Sequence, residues 1–272
     1  MRKRILSAVL SAAMLFSAFT NPVLANTIND IIQINTAEQT NALNGGGTEE
    51  NPYLIQNKND LILLAESFNE ATGDYNNAYF LLTADIELGF TPWEPVGKDC
   101  VYGFDGVFDG ANHTISGLNV DNTDIYCGLF GCLKDATVKN LTVGGSVYSN
   151  EPHAYVGGIA GRACGNTEII NSANTAVISA SATASAGGLV GYCDKSPDAE
   201  HQWTDQAVRF VNCYNSGDIV ISGEDADPLS EGLAGGIAGY SKNCVQFENC
   251  LNAANIYAAN IAAGICGNTG SS

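Results

Sequence analysis

Positive charge is scarce in this sequence: 11 Lys and Arg stand against 29 Asp and Glu, for a formal net charge of −18. Nucleic acids and anionic lipid surfaces are bound by neutralising phosphates with Lys and Arg, so this balance excludes nucleic-acid partners and direct binding to an anionic membrane. Histidine is as sparse, with three scattered residues, and no Cys-x-x-Cys pair occurs, which removes the usual zinc frameworks. His-Glu-x-x-His and serine-hydrolase signatures are missing too. The phrase "GGIAG" lacks the Lys-Ser/Thr that completes a phosphate loop, and no strand-to-helix context follows it. The nine cysteines are odd in number and not spaced like a small disulfide scaffold, so their pairing stays open. No cofactor, metal ligand or catalytic residue is assigned on these grounds.

What is present begins with an export signal. Arg2, Lys3 and Arg4 precede an apolar run from Ile5 to Phe19, and "NPVLA" places Val23 and Ala25 at the small-residue positions before a cut. The run is shorter than the ~20 residues that span a bilayer. Residues 1–25 are therefore expected to be a cleaved signal peptide, placing the chain outside the cell or on its surface. The remaining 8 basic and 29 acidic residues give a net charge of −21. The densest acidic cluster, "SGEDADP" with Glu224, Asp225 and Asp227, lacks the ligand spacing, glycine and distal Glu of an EF-hand. Calcium there is possible without any motif to support it.

The rest of the chain repeats. A glycine before an aliphatic residue recurs at Gly128, Gly158, Gly188, Gly236 and Gly264, with spacings of 30, 30, 48 and 28. Behind it stand Leu129, Ile159, Leu189, Ile237 and Ile265, then Gly131, Gly161, Gly191, Gly239 and Gly267. A second phrase aligns Val138, Ile169, Phe210 and Phe247 in an apolar column and Asn140, Asn171, Asn212 and Asn249 in a polar one. "TISGLNV" reads as an earlier copy, with Ile115 in the apolar column and Gly117 in place of the Asn. A third column holds Val147, Ile178, Ile219 and Ile256. Short β-branched segments between Gly, Asn and Ser turns are a solenoid signature. The pattern predicts an all-β, right-handed parallel β-helix of about five coils, three strands to a coil, stacked about 4.8 Å apart. The glycines are expected to supply sharp corners and positive φ, and the asparagines a stacked left-handed ladder.

The phrases "CGLFG", "GGIAG", "GGLVG" and "AGICG", with "IINSAN", "VNCYNSGDI" and "ENCLNAANI" between them, resemble the GLUG-motif repeats of exported bacterial proteins. Upstream, "NPYLIQNKNDLILLAESFN" and "FDGVFDGANHTISGLNV" are similar to the lead-in module before such repeats. The resemblance spans residues 51 to 267. It implies a cell-surface, adhesin-like scaffold and no set of active-site residues. The IgA-directed metallopeptidases that carry these repeats need a separate His-Glu-x-x-His domain.

This organisation predicts a flexible leader over 26–50, a strand-helix-strand capping module over 51–100 and repeats over 101–267, with a tail at 268–272. Asn59 is the expected N-cap of a helix burying Leu61, Leu64, Ala65 and Phe68. The chain stops just past a repeat strand without a cap, so it is expected to be a fragment of a longer protein, or to be covered there by another molecule. Function is sought where the repeat breaks, in insertions at 193–207 and 222–233, with Trp203 and His201 as the best surface for a glycan or a host or cell-surface protein. The plainer reading lays Trp203 back on the coil. The alternative function is a carbohydrate-active β-helix enzyme using Asp85, Asp105 and Asp109, since glycosidases need two carboxyls roughly 5–10 Å apart. The Asp-Gly context of Asp105 and Asp109 is that of backbone turns. A non-enzymatic module is the preferred expectation.

Overall fold

The computed structural model describes residues 42–122, 124–195, 207–222, 232–242, 244–258 and 260–269. They form a parallel β-helix. One coil shows the path: Glu168–Ile170 lies on a first face, Ala173–Asn174 and Val177–Ser181 on a second, Ser185–Gly187 on a third and Val190–Asp194 on a fourth. The chain then returns to the first face at Val208–Val211, in register with Glu168–Ile170. Through the molecule the faces hold seven, nine, five and five strands, every pairing between them parallel. The expectation of three strands per coil is therefore too simple. Glycine corners in "GGIAG" cut one expected segment into the third and fourth faces, and Asn174 and its turn split the second.

The three aliphatic columns stack as expected. Val138, Ile169, Phe210 and Phe247 are successive register partners, and so are Val147, Ile178, Ile219 and Ile256. Backbone bonds tie Ile159 to Leu189, Leu189 to Ile237 and Ile237 to Ile265. Leu129, Ile159, Leu189 and Ile237 are fully buried. Each such side chain contributes about 1.5–3 kcal/mol. Ile115 departs from expectation: it pairs with Val143 and Ile86 on the second face, and the partner of Val138 is Phe108. The strand that carries "TISGLNV" stays on the second face throughout, with a register shift between Ile115 and Leu118.

Two asparagine ladders run along the coils. The exposed one is the expected one: Asn140, Asn171, Asn212 and Asn249 have φ of 54°, 48°, 53° and 52°, and their amides bond at 3.2, 2.9 and 3.2 Å. The second is buried. Asn174 Nδ2 donates to Asn215 Oδ1 at 2.9 Å, and Asn215 Nδ2 to Asn252 Oδ1 at 2.8 Å. Each amide also closes its own turn, as Asn215 does with the carbonyl of Gly217 at 3.1 Å and its N–H at 3.2 Å. This ladder explains a glycine column. A Cβ on Gly158 would lie 2.0 Å from Asn174 Oδ1, and one on Gly188 would lie 2.4 Å from Asn215 Cγ. The glycines of this column have ordinary φ, so space and not positive φ makes them necessary. Gly161, Gly191 and Gly239 serve the same end, admitting third-face backbone at 2.3–2.7 Å from the would-be Cβ.

At the N-terminal end, helix α1 (Lys58–Asn69) buries Leu61, Leu64, Ala65 and Phe68, as its pattern predicts. Its N-cap is Asn57 rather than Asn59; Asn57 Oδ1 accepts the N–H groups of Asn59 and Asp60 at 2.9 and 3.3 Å. Phe68 meets Phe104 with ring centroids 5.3 Å apart, and Phe104 meets Phe130 at 5.0 Å, so the helix shares the coils' core. Residues 43–50, expected within the flexible leader, are folded: Leu43 is buried, its N–H donates to Tyr75 Oη at 2.9 Å, and Asn44 bridges Leu54. Residues 1–41, including the expected signal peptide, lie outside the described residues. Cys100 and Cys132 form a disulfide. No helix among the described residues is long and apolar enough to cross a membrane.

The buried ladder should be worth more than the exposed one. Asn215→Ala takes a partner from the buried Asn174 amide and from the half-buried Asn252 amide, and should cost about 1–3 kcal/mol. Asn212→Gly, which keeps the left-handed turn and loses bonds at the surface, should cost under about 1 kcal/mol. Urea unfolding of the two variants checks the order.

Candidate functional site

The carboxylates named from the sequence are all engaged by backbone and side chains one coil away. Asp85 Oδ1 accepts the Thr114 N–H at 2.9 Å and faces His113 Nδ1 at 3.1 Å, across 29 and 28 residues of sequence. Asp105 Oδ1 accepts the Asn77 N–H at 2.9 Å. Asp109 Oδ1 accepts Ala111 N–H at 2.9 Å and Asn140 Nδ2 at 3.0 Å, while Oδ2 pairs with Lys139 at 3.3 Å. Glu87, not singled out in the sequence, behaves alike, accepting Ser116 Oγ at 2.7 Å and Gly89 N–H at 2.9 Å. Asp135 and Asp218 take the N–H groups of Asn166 and Asn255, 31 and 37 residues on, each at 2.9 Å. These acids fasten coil to coil.

Their ionisation fits that role. The Thr114 N–H, with His113, holds Asp85 below the ordinary carboxylate range, and the Ser116 hydroxyl with the Gly89 N–H does the same for Glu87. Burial opposes the Asp109 charge, but Asn140, Ala111 N–H and Lys139 outweigh it and keep its pKa low. A general acid in glycoside hydrolysis needs the opposite shift, toward the protonated form at neutral pH.

Two clefts flank α1. The larger, about 300 Å³, lies between the end of the helix and the next coils, with Phe68, Asn77, Tyr102, Asp105, Lys134 and Asp135 on its walls. Ala71, Asn77 and Asp135 adopt φ of 55°, 54° and 53° around it. The second, about 260 Å³, is lined by Lys58, Glu66, Asn69, Thr91, Trp93 and Glu94. Trp93 is not free to bind there: it is buried, and its Nε1 donates to the Leu129 carbonyl at 3.0 Å.

A row of tyrosines escapes sequence reasoning. Tyr126, Tyr155, Tyr192 and Tyr240 stack with centroids 5.7, 4.4 and 5.5 Å apart along the seam of the third and fourth faces. Arg162 lies 5.8 Å over Tyr192 and grips Asp194 with two bonds of 2.8 and 2.9 Å. Burial opposes the Arg162 charge, yet Asp194 raises its pKa above the ordinary value. A sugar-binding platform must offer an open ring face, and here the ring faces cover one another. Its trace in the sequence is that each tyrosine sits within a few residues of a glycine corner. This seam is a spine.

The insertions expected to carry function spring from different corners of one coil. The first leaves the fourth face after Asp194 and returns to the first at Val208; the second leaves the second face after Ser222 and rejoins the third at Leu233. Both insertions are rooted at one coil, as their spacing implies, but two faces separate their roots in either direction. His201, Trp203, Glu224, Asp225 and Asp227 lie outside the described residues. Among the described residues, no three His, Cys, Asp or Glu side chains are grouped to hold a metal ion.

No family model matches the chain. It is 34% identical over 126 residues to a protein of Evansella cellulosilytica provisionally named a Gly-rich membrane protein, matching 43% of this chain and 14% of that one. It is 27% identical over 168 residues to halomucin of Haloquadratum walsbyi, matching 57% of this chain and 2% of that one. The chain therefore spans only a small part of either relative. Among solved structures, a Bacteroides ovatus protein provisionally named an immunoglobulin A1 protease aligns with a TM-score of 0.45 at 18% identity, over 83% of this chain and 86% of that one.

The low carboxylate pKa values carry a signed prediction. Stability contributed by Asp85, Glu87 and Asp109 is present above their unfolded values of 3.8, 4.5 and 3.8 and is lost as pH falls through the lower folded values. Asp109→Asn should lower the urea midpoint at pH 7 and flatten its decline between pH 5 and pH 2. Urea titrations across that range check it.

Proposed function

We propose that this chain is an exported, non-enzymatic, adhesin-like repeat module of the GLUG type, whose rigid β-helix presents loops at the cell surface. The observation that carries the reading is the use of the carboxylates. Asp85, Glu87, Asp105, Asp109, Asp135 and Asp218 each accept a bond from a residue 28 to 37 positions away, so the acids an enzyme would need are committed to joining coils. The export signal over residues 1–25 and the names of the two relatives, a membrane protein and a mucin, support a secreted or surface location. The insertions between Asp194 and Val208 and between Ser222 and Leu233 interrupt the repeat in sequence, and a glycan or a host or cell-surface protein is the partner class they suit.

The test compares the intact chain with versions in which 196–206 or 223–231 are replaced by short Gly-Ser linkers, on arrays of glycans and host surface proteins. The reading expects ligands bound by the intact chain and lost by one loop replacement, with the coil's circular dichroism unchanged. Equal binding by all three forms contradicts presentation by the loops. Polysaccharide cleavage that disappears in Asp85→Ala, Asp105→Ala or Asp109→Ala contradicts the non-enzymatic reading.

A further inference from the structure

The phrases "VNCYN" and "ENCLN" place a cysteine at the same repeat position in consecutive coils. Tyr214 and Leu251 are register partners, so Cys213 and Cys250, one residue earlier, stack directly. Backbone bonds bracket the pair, from Asn212 N–H to the Glu248 carbonyl and from Leu251 N–H to the Cys213 carbonyl, each 2.9 Å. Parallel strands set such partners about 4.8 Å apart at Cα, within the roughly 4.4–6.8 Å that a disulfide spans. The side chains share one orientation, a coil apart. Cys213 Sγ lies 3.2 Å from the Ile169 carbonyl and Cys250 Sγ lies 3.5 Å from the Phe210 carbonyl, and Ile169 and Phe210 are themselves register partners.

The pair is graded in access. Cys213 is 1% exposed, whereas Cys250 is partly open. Each thiol governs the other's ionisation first: contact with Cys213 lowers the pKa of Cys250, and contact with Cys250 raises that of Cys213. Cys250 is thus the accessible nucleophile and Cys213 the resolving thiol behind it.

We propose that Cys213 and Cys250 are a redox site that ties the 245–269 coil covalently to the coil before it. The oxidant is a low-molecular-weight disulfide. Cys250, having given its proton to solvent, attacks one sulfur of that disulfide, forming a mixed disulfide and releasing one small thiolate. Cys213 then attacks the Cys250 sulfur, its proton passing to the second departing thiolate. Two protein thiols are oxidised and one small disulfide is reduced to two thiols. The tie joins the last two described coils and is reversible by any small thiol.

The experiment equilibrates the full chain with oxidised glutathione at pH 7, blocks remaining thiols by alkylation and maps peptides without reduction, using Cys100–Cys132 as the internal control. The expected result is a Cys213–Cys250 cross-link and near-complete loss of alkylation at both. Cys213→Ser should accumulate a glutathione adduct on Cys250; Ser172 occupies the same column, so the variant keeps the coil. Cys250→Ser should leave Cys213 without an adduct. The proposal is overturned if both thiols stay alkylatable once Cys100–Cys132 has formed, if Cys250 joins a different cysteine, or if Cys213→Ser gains no adduct. Should Cys213→Ser fail to fold, the native chain's map decides alone.

Discussion

The contact between an asparagine amide and a glycine of the preceding coil is the constraint on which the rest of this molecule depends. Asn174, Asn215 and Asn252 fill the space where side chains on Gly158, Gly188 and Gly236 would stand. Each amide closes a turn within its own coil, and Asn215 also bonds to its copies on both sides, Asn174 and Asn252. A primary amide offers two donors and two acceptor positions, which matches the demand on Asn215. Substituting either partner leaves a buried polar group unpaired or forces backbone apart. The vertical repeat distance, the corner and the aliphatic columns all follow from keeping these two in place.

Stacking then accounts for the energetics. A coil inside the solenoid buries its aliphatic column fully, as Leu189 and Ile237 are buried, whereas Ile265 in the last described coil is only partly covered. Each interior coil gains from both neighbours, which is how short strands offset a backbone ordering cost of about 1–2 kcal/mol per residue. The same economy absorbs the polar residues. Carboxylates cap the N–H groups of the next coil, and tyrosines cover one another along the seam. Residues that would otherwise draw attention as catalytic or sugar-binding groups, Asp85, Asp109 and the tyrosine row among them, are held by the repeat.

Much of this was legible beforehand. Columns of identical side-chain class at repeat spacing imply superposition, and the Val138, Val147 and Leu129 columns need nothing more than that. The left-handed Asn140 column was readable because Asn is the non-glycine residue most at ease there. Less visible was whatever depends on the direction a side chain takes. Asn174 and Asn140 look equally polar in sequence, yet one lies in the core and the other at the surface. Glycine reads as conformational freedom, while at Gly158 and Gly188 it provides room. Ile115 shows the ambiguity of short apolar alternation, since its phrase reads like a first-face copy and yet pairs with Ile86 and Val143 on the second face. Pairing such as Asp109 with Asn140 leaves no local signal, because its partner is a full coil away.

Vertical superposition is tested most directly by a distance along one column. Asp121, Tyr148, Ser179, Val220 and Tyr257 are successive register partners on the second face. Spin labels on Asp121→Cys and Tyr257→Cys, at otherwise blocked thiols, should report a narrow distribution centred on about 19 Å, four steps of about 4.8 Å, widened only by the label linkers. A broad distribution, or one centred beyond about 30 Å, would mean that the coils do not lie over one another.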